Sequence, residues 1–169
     1  IMTIASIHEV LYQNGTLNEI PFNNFLHELI DVGAIQNKQK AKGITINTDA
    51  DSFALGINQS IPCGLLLNEL LSLIFTFADK KRTNSLNLRL RKYNSKVHII
   101  VEGNEILNCP NEVKEHKSLH NILIETLVLQ LNGVLLWPNP NEKYQKFELI
   151  FSKESSYSPA RDLLKNTGS

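Results

Sequence analysis

The longest apolar stretch of the chain runs from Ile61 to Ala78 and contains few polar positions. Pro62 suits the first turn of a helix, where a backbone N–H has no intrahelical partner. Apolar residues then occupy almost every side of a helix of about four turns. This pattern predicts a helix that is buried inside its own domain. Asn68 and Glu69 interrupt the stretch and argue against a membrane span.

Amphipathic and alternating segments lie on both sides of this helix. Helical spacing predicts helices over residues 1–13, from Phe22 to about Gln36, and from Leu119 to Asn132, with Gly133 ending the last one. Apolar–polar alternation and short apolar runs predict strands at 44–47, 53–57, 85–91, 97–101, 134–137 and 147–151, with 53–57 as the hairpin partner of 44–47. The order predicts an α/β fold, a two-layer sandwich of a mixed sheet covered on one face by helices.

Composition limits the function classes. Seventeen basic residues balance seventeen acidic ones in 169 residues, which gives no electrostatic case for nucleic acid or an anionic membrane. Cys63 and Cys109 are the only cysteines, and two thiols in a chain of this size favour a reducing, cytoplasmic location over a disulfide framework. No signal peptide is visible. We therefore expect a cytoplasmic protein with neither a nucleic-acid partner nor membrane insertion of this segment.

Asn68 and Glu69 are the first candidate site residues. An amide and a carboxylate side by side in an apolar helix must find polar partners or lose solvation energy, and such residues often belong to functional sites. The alternative is that both side chains lie on the one exposed strip of the helix. The pattern alone leaves both interpretations open.

A family resemblance adds context. Residues 61–72 read Ile-Pro-Cys-Gly-Leu-Leu-Leu-Asn-Glu-Leu-Leu-Ser and resemble the helix that carries the N-box of bacterial sensor histidine kinases, in the subfamily with Pro, Gly and then Asn-Glu-Leu at these positions. Residues 125–127 and 130–133 also resemble the family. The resemblance covers about residues 6–151. It implies the Bergerat-type (GHKL) ATPase fold that histidine kinases share with gyrase.

The same resemblance implies that the ATP-binding boxes are degenerate. Where the family has the Asn that helps to hold the magnesium of ATP, this chain has Leu73. Gly103 stands in place of the Asp that binds adenine, although a shift of one residue would put Glu102 there. His120 replaces a Gly whose small size lets backbone amides meet the phosphates. The polar residues left for a vestigial nucleotide pocket are Asn68, Glu69 and Asn104.

Residues 6–13 resemble the end of the second helix of the family's dimerisation hairpin, so the chain is expected to start partway through that hairpin. The expected division is 1–20 for the end of the hairpin, 21–152 for a degenerate histidine kinase-like ATPase domain, and 153–169 for a polar tail.

Two histidine patterns resemble sites of known chemistry. His8 is followed by Glu9, as in a phosphoacceptor box where the acid orients the imidazole. Tyr12, however, stands where such boxes place Asn or Thr, which favours an ordinary helix residue. His116 and His120 are four apart, but a cap at Ser118 would leave His116 outside the helix, so no metal site is predicted.

Magnesium and preorganised donors supply most of the catalysis in phosphoryl transfer, so losing them together predicts loss of catalysis. We expect a degenerate histidine kinase module of two-component signalling, either a pseudokinase regulator or a phosphotransfer scaffold, with no cofactor. The resemblance implies a response-regulator receiver domain or a partner kinase as binding partner, and leaves a homodimer open. The alternative is the ATP-binding domain of an active sensor histidine kinase, in which ATP and magnesium bind and Glu69 is catalytic. A third interpretation is a phosphotransferase that uses His8.

Overall fold

The computed structural model describes residues 19–36, 43–77, 84–103, 119–139, 141 and 145–154. Seven strands and three helices lie in this part of the chain. In chain order they are β1 (Glu19–Pro21), α1 (Phe22–Gln36), β2 (Ile44–Ala50), β3 (Ala54–Gly56), α2 (Ile57–Phe77), β4 (Asn84–Tyr93), β5 (Lys96–Gly103), α3 (Leu119–Gln130), β6 (Val134–Leu136) and β7 (Gln145–Ser152).

Five strands form one mixed sheet in the order β2-β4-β5-β7-β6. β2 runs parallel to β4, and the other neighbours are antiparallel. α2 is part of the crossover that a parallel pair requires. The predicted hairpin between residues 44–47 and 53–57 is wrong, because β3 pairs with β1 in a separate two-stranded sheet. The residue that follows β2 still pairs with β4, because the Asp51 N–H donates to the Leu90 carbonyl at 3.0 Å.

One face of the five-stranded sheet is apolar and covered by helices. Alternate residues of β4, β5 and β7 are buried there, among them Leu88, Ile99 and Leu149. α2 supplies the largest part of the helical layer and packs against both α1 and α3. The predicted two-layer α/β sandwich is confirmed.

α2 is the core helix of this domain. Its length and composition would suffice for a membrane span, but 72% of the residues in the apolar window Ile57–Thr76 are buried inside the protein. A helix that is buried to this extent inside the protein is a core helix, and its hydropathy is not evidence for a membrane span. Leu66, Leu67 and Ile74 have no exposed surface at all.

α2 begins at Ile57, so Pro62 lies inside the helix and its placement in the first turn is wrong. The early turn is stabilised by Gln59, which is buried. Its Nε2 donates to the Ser152 carbonyl at 2.8 Å, and its Oε1 accepts from the Glu154 N–H at 3.0 Å. These bonds attach the start of α2 to the end of β7, beyond anything that local sequence indicates.

The other face of the sheet carries cross-strand ion pairs. Arg89 on β4 contacts Glu102 on β5 at 2.6 Å, and Arg91 pairs with Asp49 on β2. The Arg91 hydrogen bond holds the pKa of the Asp49 carboxyl below its ordinary value. Arg89 is exposed, whereas Arg91 is partly buried between the strands.

The domain boundaries predicted at residues 20 and 152 stay predictions. β1 starts at Glu19, two residues before the predicted boundary at 21. At the other end, the N–H of Lys153 donates to the Ser95 carbonyl at 2.6 Å, so the chain remains attached to the sheet immediately beyond β7. Most of the hairpin and tail predictions concern residues 1–18 and 155–169, outside the described residues.

Candidate functional site

Asn68 and Glu69 lie on α2, on the side that faces α3. Asn68 is buried, with 9% of its surface exposed, so the interpretation that both residues lie on an exposed strip is wrong for Asn68. Its side-chain amide Nδ2 donates to Oε1 of Glu69 at 3.4 Å. The Glu69 side chain is 13% exposed. The amide therefore contacts one carboxylate oxygen and leaves the other for a different partner.

That partner is His120, in the first turn of α3. Its Nδ1 lies 2.7 Å from Oε2 of Glu69. The imidazole is more exposed than the acid, with 54% of the His120 side chain open to solvent. We call Asn68, Glu69 and His120 the Asn–Glu–His cluster. It joins two helices that are 51 residues apart in sequence at this contact.

Packing fixes the position of this cluster. α2 is held at the centre of the helical layer, and α3 lies beside it with Ile124 and Leu127 buried towards the core. His120 precedes Ile124 by one turn and Leu127 by two turns. This spacing places His120 over the outward edge of α2. Glu69 lies at that edge because its neighbours Leu67 and Leu70 point inward.

The turn of α2 after the cluster is apolar. Leu73, Ile74 and Phe75 are 7%, 0% and 2% exposed. They occupy the positions at which the resemblance placed the magnesium ligand and its neighbours. Hydrocarbon side chains offer no oxygen or nitrogen to a metal ion or a phosphate. Within the described residues, no group of three or more His, Cys, Asp and Glu side chains is arranged to hold a metal ion.

The chemistry of the cluster follows from its donors and acceptors. An ionised carboxylate only accepts hydrogen bonds, so Nδ1 of His120 is the donor in its contact with Glu69. In the neutral imidazole the other nitrogen, Nε2, then carries a lone pair. Asn68 orients the carboxylate in turn, which is how outer partners usually fix a reactive side chain.

The sequence named Asn68 and Glu69 as candidate site residues, and their role as a site stays a prediction. Sequence reasoning placed His120 at the phosphate side of the pocket but not in contact with Glu69. The signal was available, because the resemblance put both residues around one nucleotide pocket, and an acid and an imidazole facing the same space can pair. His8 and Asn104, the other candidates, lie outside the described residues.

A concave feature lies on another side of α3. It is an open depression of about 330 Å³, lined by Ile124, Glu125, Val128, Leu129, Leu135 and Trp137. The Trp137 ring packs edge-on against Phe147, with ring centroids 5.3 Å apart. The lining contains none of the Asn–Glu–His cluster, so the two features are separate.

Comparison with solved structures identifies the architecture. The histidine kinase domain of the blue-light activated histidine kinase from Erythrobacter litoralis EL346 superposes with a TM-score of 0.68, at 18% identity, over 89% of this chain and 73% of that one. This chain has the fold of a histidine kinase catalytic domain. A longer structure of the same Erythrobacter kinase also matches, at 19% identity and a TM-score of 0.68. This chain spans 54% of the length of that longer structure.

A histidine kinase of a different organism gives the same result. AdeS from Acinetobacter baumannii matches with a TM-score of 0.62, at 12% identity, over 90% of this chain and 76% of that chain. No family model and no curated protein matches the sequence. The histidine kinase-like fold is therefore shared at a level of sequence identity that leaves activity to be argued from the site.

Proposed function

We propose that this chain is a degenerate histidine kinase module of two-component signalling, which works through protein contacts in the cytoplasm and does not turn over ATP. The observation that carries the proposal is the 2.7 Å contact between His120 Nδ1 and Glu69 Oε2. It lies between α2 and α3, in the place where the resemblance puts the phosphates of a nucleotide.

Two physical arguments support a loss of nucleotide binding. The imidazole of His120 adds bulk where a phosphate oxygen would need to approach backbone amides. The buried residues Leu73 and Phe75 supply no ligand that could bring in magnesium to offset the charge of the phosphates. A polyphosphate would have to break the Glu69–His120 contact and would gain little in return.

Calorimetric titration with ATP and magnesium tests this part of the proposal. We expect no heat at millimolar nucleotide and no change in the melting temperature. Mass action requires a stabilisation of about 2.7 kcal/mol at one hundred times the Kd, so a real site would appear in both measurements. Binding by the wild-type chain would contradict the proposal and favour the alternative, an ATP-binding kinase domain with atypical ligands.

A variant separates steric exclusion from the loss of ligands. His120→Gly restores the residue that the resemblance expects and removes the contact with Glu69. If bulk alone prevents binding, this variant should gain affinity for ATP with magnesium. We expect no gain, because the variant still lacks the magnesium ligand at Leu73 and the adenine-binding Asp. His27→Gly, at an exposed histidine on α1, controls for the loss of an imidazole elsewhere.

The partner half of the proposal needs a separate measurement. A response-regulator receiver domain or a partner kinase is the class of partner that a contact-only module would use, with a second copy of the chain as a further option. Fluorescence anisotropy with a panel of labelled receiver domains and partner-kinase domains tests the first two, and sedimentation equilibrium tests self-association. Failure of all three measurements would contradict a role through protein contacts.

A further inference from the structure

The imidazole of His120 is held at one nitrogen and open at the other. Nδ1 faces Oε2 of Glu69 at 2.7 Å, and more than half of the side chain is exposed. Asn68 contacts the second oxygen of the same carboxylate. The amide contacts the acid and the acid orients the ring, so Nε2 keeps the lone pair on a side chain that is 54% exposed. An imidazole arranged in this way is a nucleophile or a general base.

Three uses of such a nitrogen can be compared. A metal site needs further ligands, and the described residues offer no cluster of three. A general base acts on a hydroxyl or a water, and among the described side chains no hydroxyl hydrogen-bonds to His120. A nucleophile needs an electrophile that can reach Nε2 from solvent, and the exposure of the ring allows that.

The surroundings favour an anionic electrophile. His120 is the second residue of α3, a helix of 12 residues. The positive end of a helix dipole stabilises negative charge close to the first turn. Glu69, the nearby acid, has its Oε2 directed at Nδ1, on the opposite edge of the ring from Nε2. A phosphoryl group combines an electrophilic phosphorus with anionic oxygens and fits both conditions.

We propose that His120 is a phosphoryl-acceptor residue for acyl phosphates. Nε2 attacks phosphorus and forms a P–N bond, while the P–O bond breaks and the leaving carboxylate takes the electron pair. The ring keeps its proton on Nδ1, and the positive charge that the ring acquires is balanced by Glu69. The step requires no nucleotide, metal or additional proton. Glu69 and Asn68 are positioning residues for it.

Acyl phosphates can come from a small molecule or from a phosphorylated carboxylate on another protein. The first arm of the test incubates the whole chain with acetyl phosphate, and the second with a receiver domain phosphorylated on its aspartate. The modified histidine is identified by mass spectrometry under mildly alkaline conditions, and phosphorus NMR distinguishes the Nε2 and Nδ1 products. The arm with the faster transfer identifies the source, and transfer in neither arm overturns the proposal.

His27 is the internal reference, because it is also exposed and the partner of its Nδ1 is the hydroxyl of Thr48, at 3.5 Å, and not a carboxylate. We expect His120 to be modified at least about tenfold faster than His27, which is modest for a positioned acid–base partner. The product should be on Nε2. Equal rates at the two histidines, or a product on Nδ1 of His120, would overturn the proposal.

Glu69→Gln tests the positioning role. Loss of the charge should slow modification of His120 to the rate of His27 and should shift the product ratio towards Nδ1. A merely structural role of Glu69 would leave that ratio unchanged, and so would contradict the assignment. If Glu69→Gln lowers the melting temperature strongly, Asn68→Asp replaces it as the variant. The comparison of the modification rates of His120 and His27 in the wild type then still tests the proposal. No arm contains ATP, so the result is independent of whether a nucleotide binds.

Discussion

Gly64 on α2 and Phe25 on α1 approach each other so closely that no side chain fits between them. A Cβ added at Gly64 would lie 2.6 Å from Cζ of Phe25 and 2.9 Å from its Cε1. The Phe25 ring has no exposed surface and packs at a centroid distance of 5.5 Å from Phe22. The two helices therefore make contact through a bare backbone on one side and an aromatic ring on the other.

Gly64→Ala is expected to lower the free energy of unfolding. Alanine gains about 1 kcal/mol of helix propensity over glycine. Overpacking of a filled core typically costs about 1–3 kcal/mol. Since the buried Phe25 ring has no open side to move into, we expect the clash to prevail, with a net loss of about 1 kcal/mol. Urea denaturation followed by fluorescence of Trp137, the only tryptophan, measures the change.

Phe25→Leu supplies the control. In that background the methyl group that Gly64→Ala introduces would meet a smaller side chain, so the same change should be neutral or stabilising. A double-mutant cycle then gives a favourable coupling between the two substitutions. If Gly64→Ala costs the same in both backgrounds, the contact with Phe25 is not the reason for the glycine.

The Gly64 contact also shows what the sequence could predict. The motif around Pro62 and Gly64 indicated the helix and, through resemblance, the fold, because a core helix has a distinct local pattern. The reason for the glycine lies on α1, in an earlier part of the chain, and no local pattern contains it. The same limit explains the error at β3: alternation predicts a strand but does not name its partner. The Glu69–His120 pair is likewise absent from any local pattern, and only the resemblance brought the two residues to one pocket.

Asn132 ends α3 in a left-handed conformation, with φ of 48°. Its N–H donates to the Leu129 carbonyl at 2.9 Å, and the N–H of Gly133 donates to the Val128 carbonyl at 3.0 Å. This is the Schellman arrangement, with Asn132 rather than Gly133 at the left-handed position. Sequence reasoning chose Gly133 as the helix stop, since glycine is the commoner residue there.

Asn132→Gly and Asn132→Ala should therefore differ in their effects on stability. Glycine adopts this conformation without a Cβ penalty, so we expect an equal or higher melting temperature. Alanine lacks the local hydrogen bonding of Asn and should lower the free energy of unfolding by roughly 1 kcal/mol. Thermal denaturation followed by circular dichroism compares the two. A loss in both variants would show that the Asn side chain, rather than the backbone conformation, is what matters.

Cys63 should resist thiol reagents in the folded protein. It has no exposed surface on α2, and burial raises the pKa of its thiol, so that almost no thiolate is available to react. A Cys109→Ser variant isolates its signal from the second cysteine. We expect the rate of labelling by a maleimide to follow the rate of unfolding and to increase with urea. Rapid labelling in buffer without denaturant would contradict the buried position.

Glu148 on β7 should make the protein less stable in acid. Burial of the carboxyl acts to raise its pKa, but the hydrogen bonds from Lys146 Nζ at 2.7 Å and His98 Nδ1 at 3.0 Å outweigh burial and hold the pKa below its ordinary value. A carboxyl with a lowered pKa in the folded state contributes stability that is present above the unfolded pKa, about 4.3 for Glu. That contribution is lost as the pH falls through the folded pKa, because the folded state must then take up a proton.

Urea denaturation between pH 7 and pH 3 measures this contribution as the difference between the wild type and Glu148→Gln. We expect the difference to be constant at neutral pH and to shrink as the pH falls below about 4.3. Lys146→Met removes one of the two donors while leaving the carboxylate in place, so it should reduce the pH-dependent part without abolishing it. A difference between the wild type and Glu148→Gln that stays constant down to pH 3 would mean that Lys146 and His98 do not stabilise the charged form of Glu148.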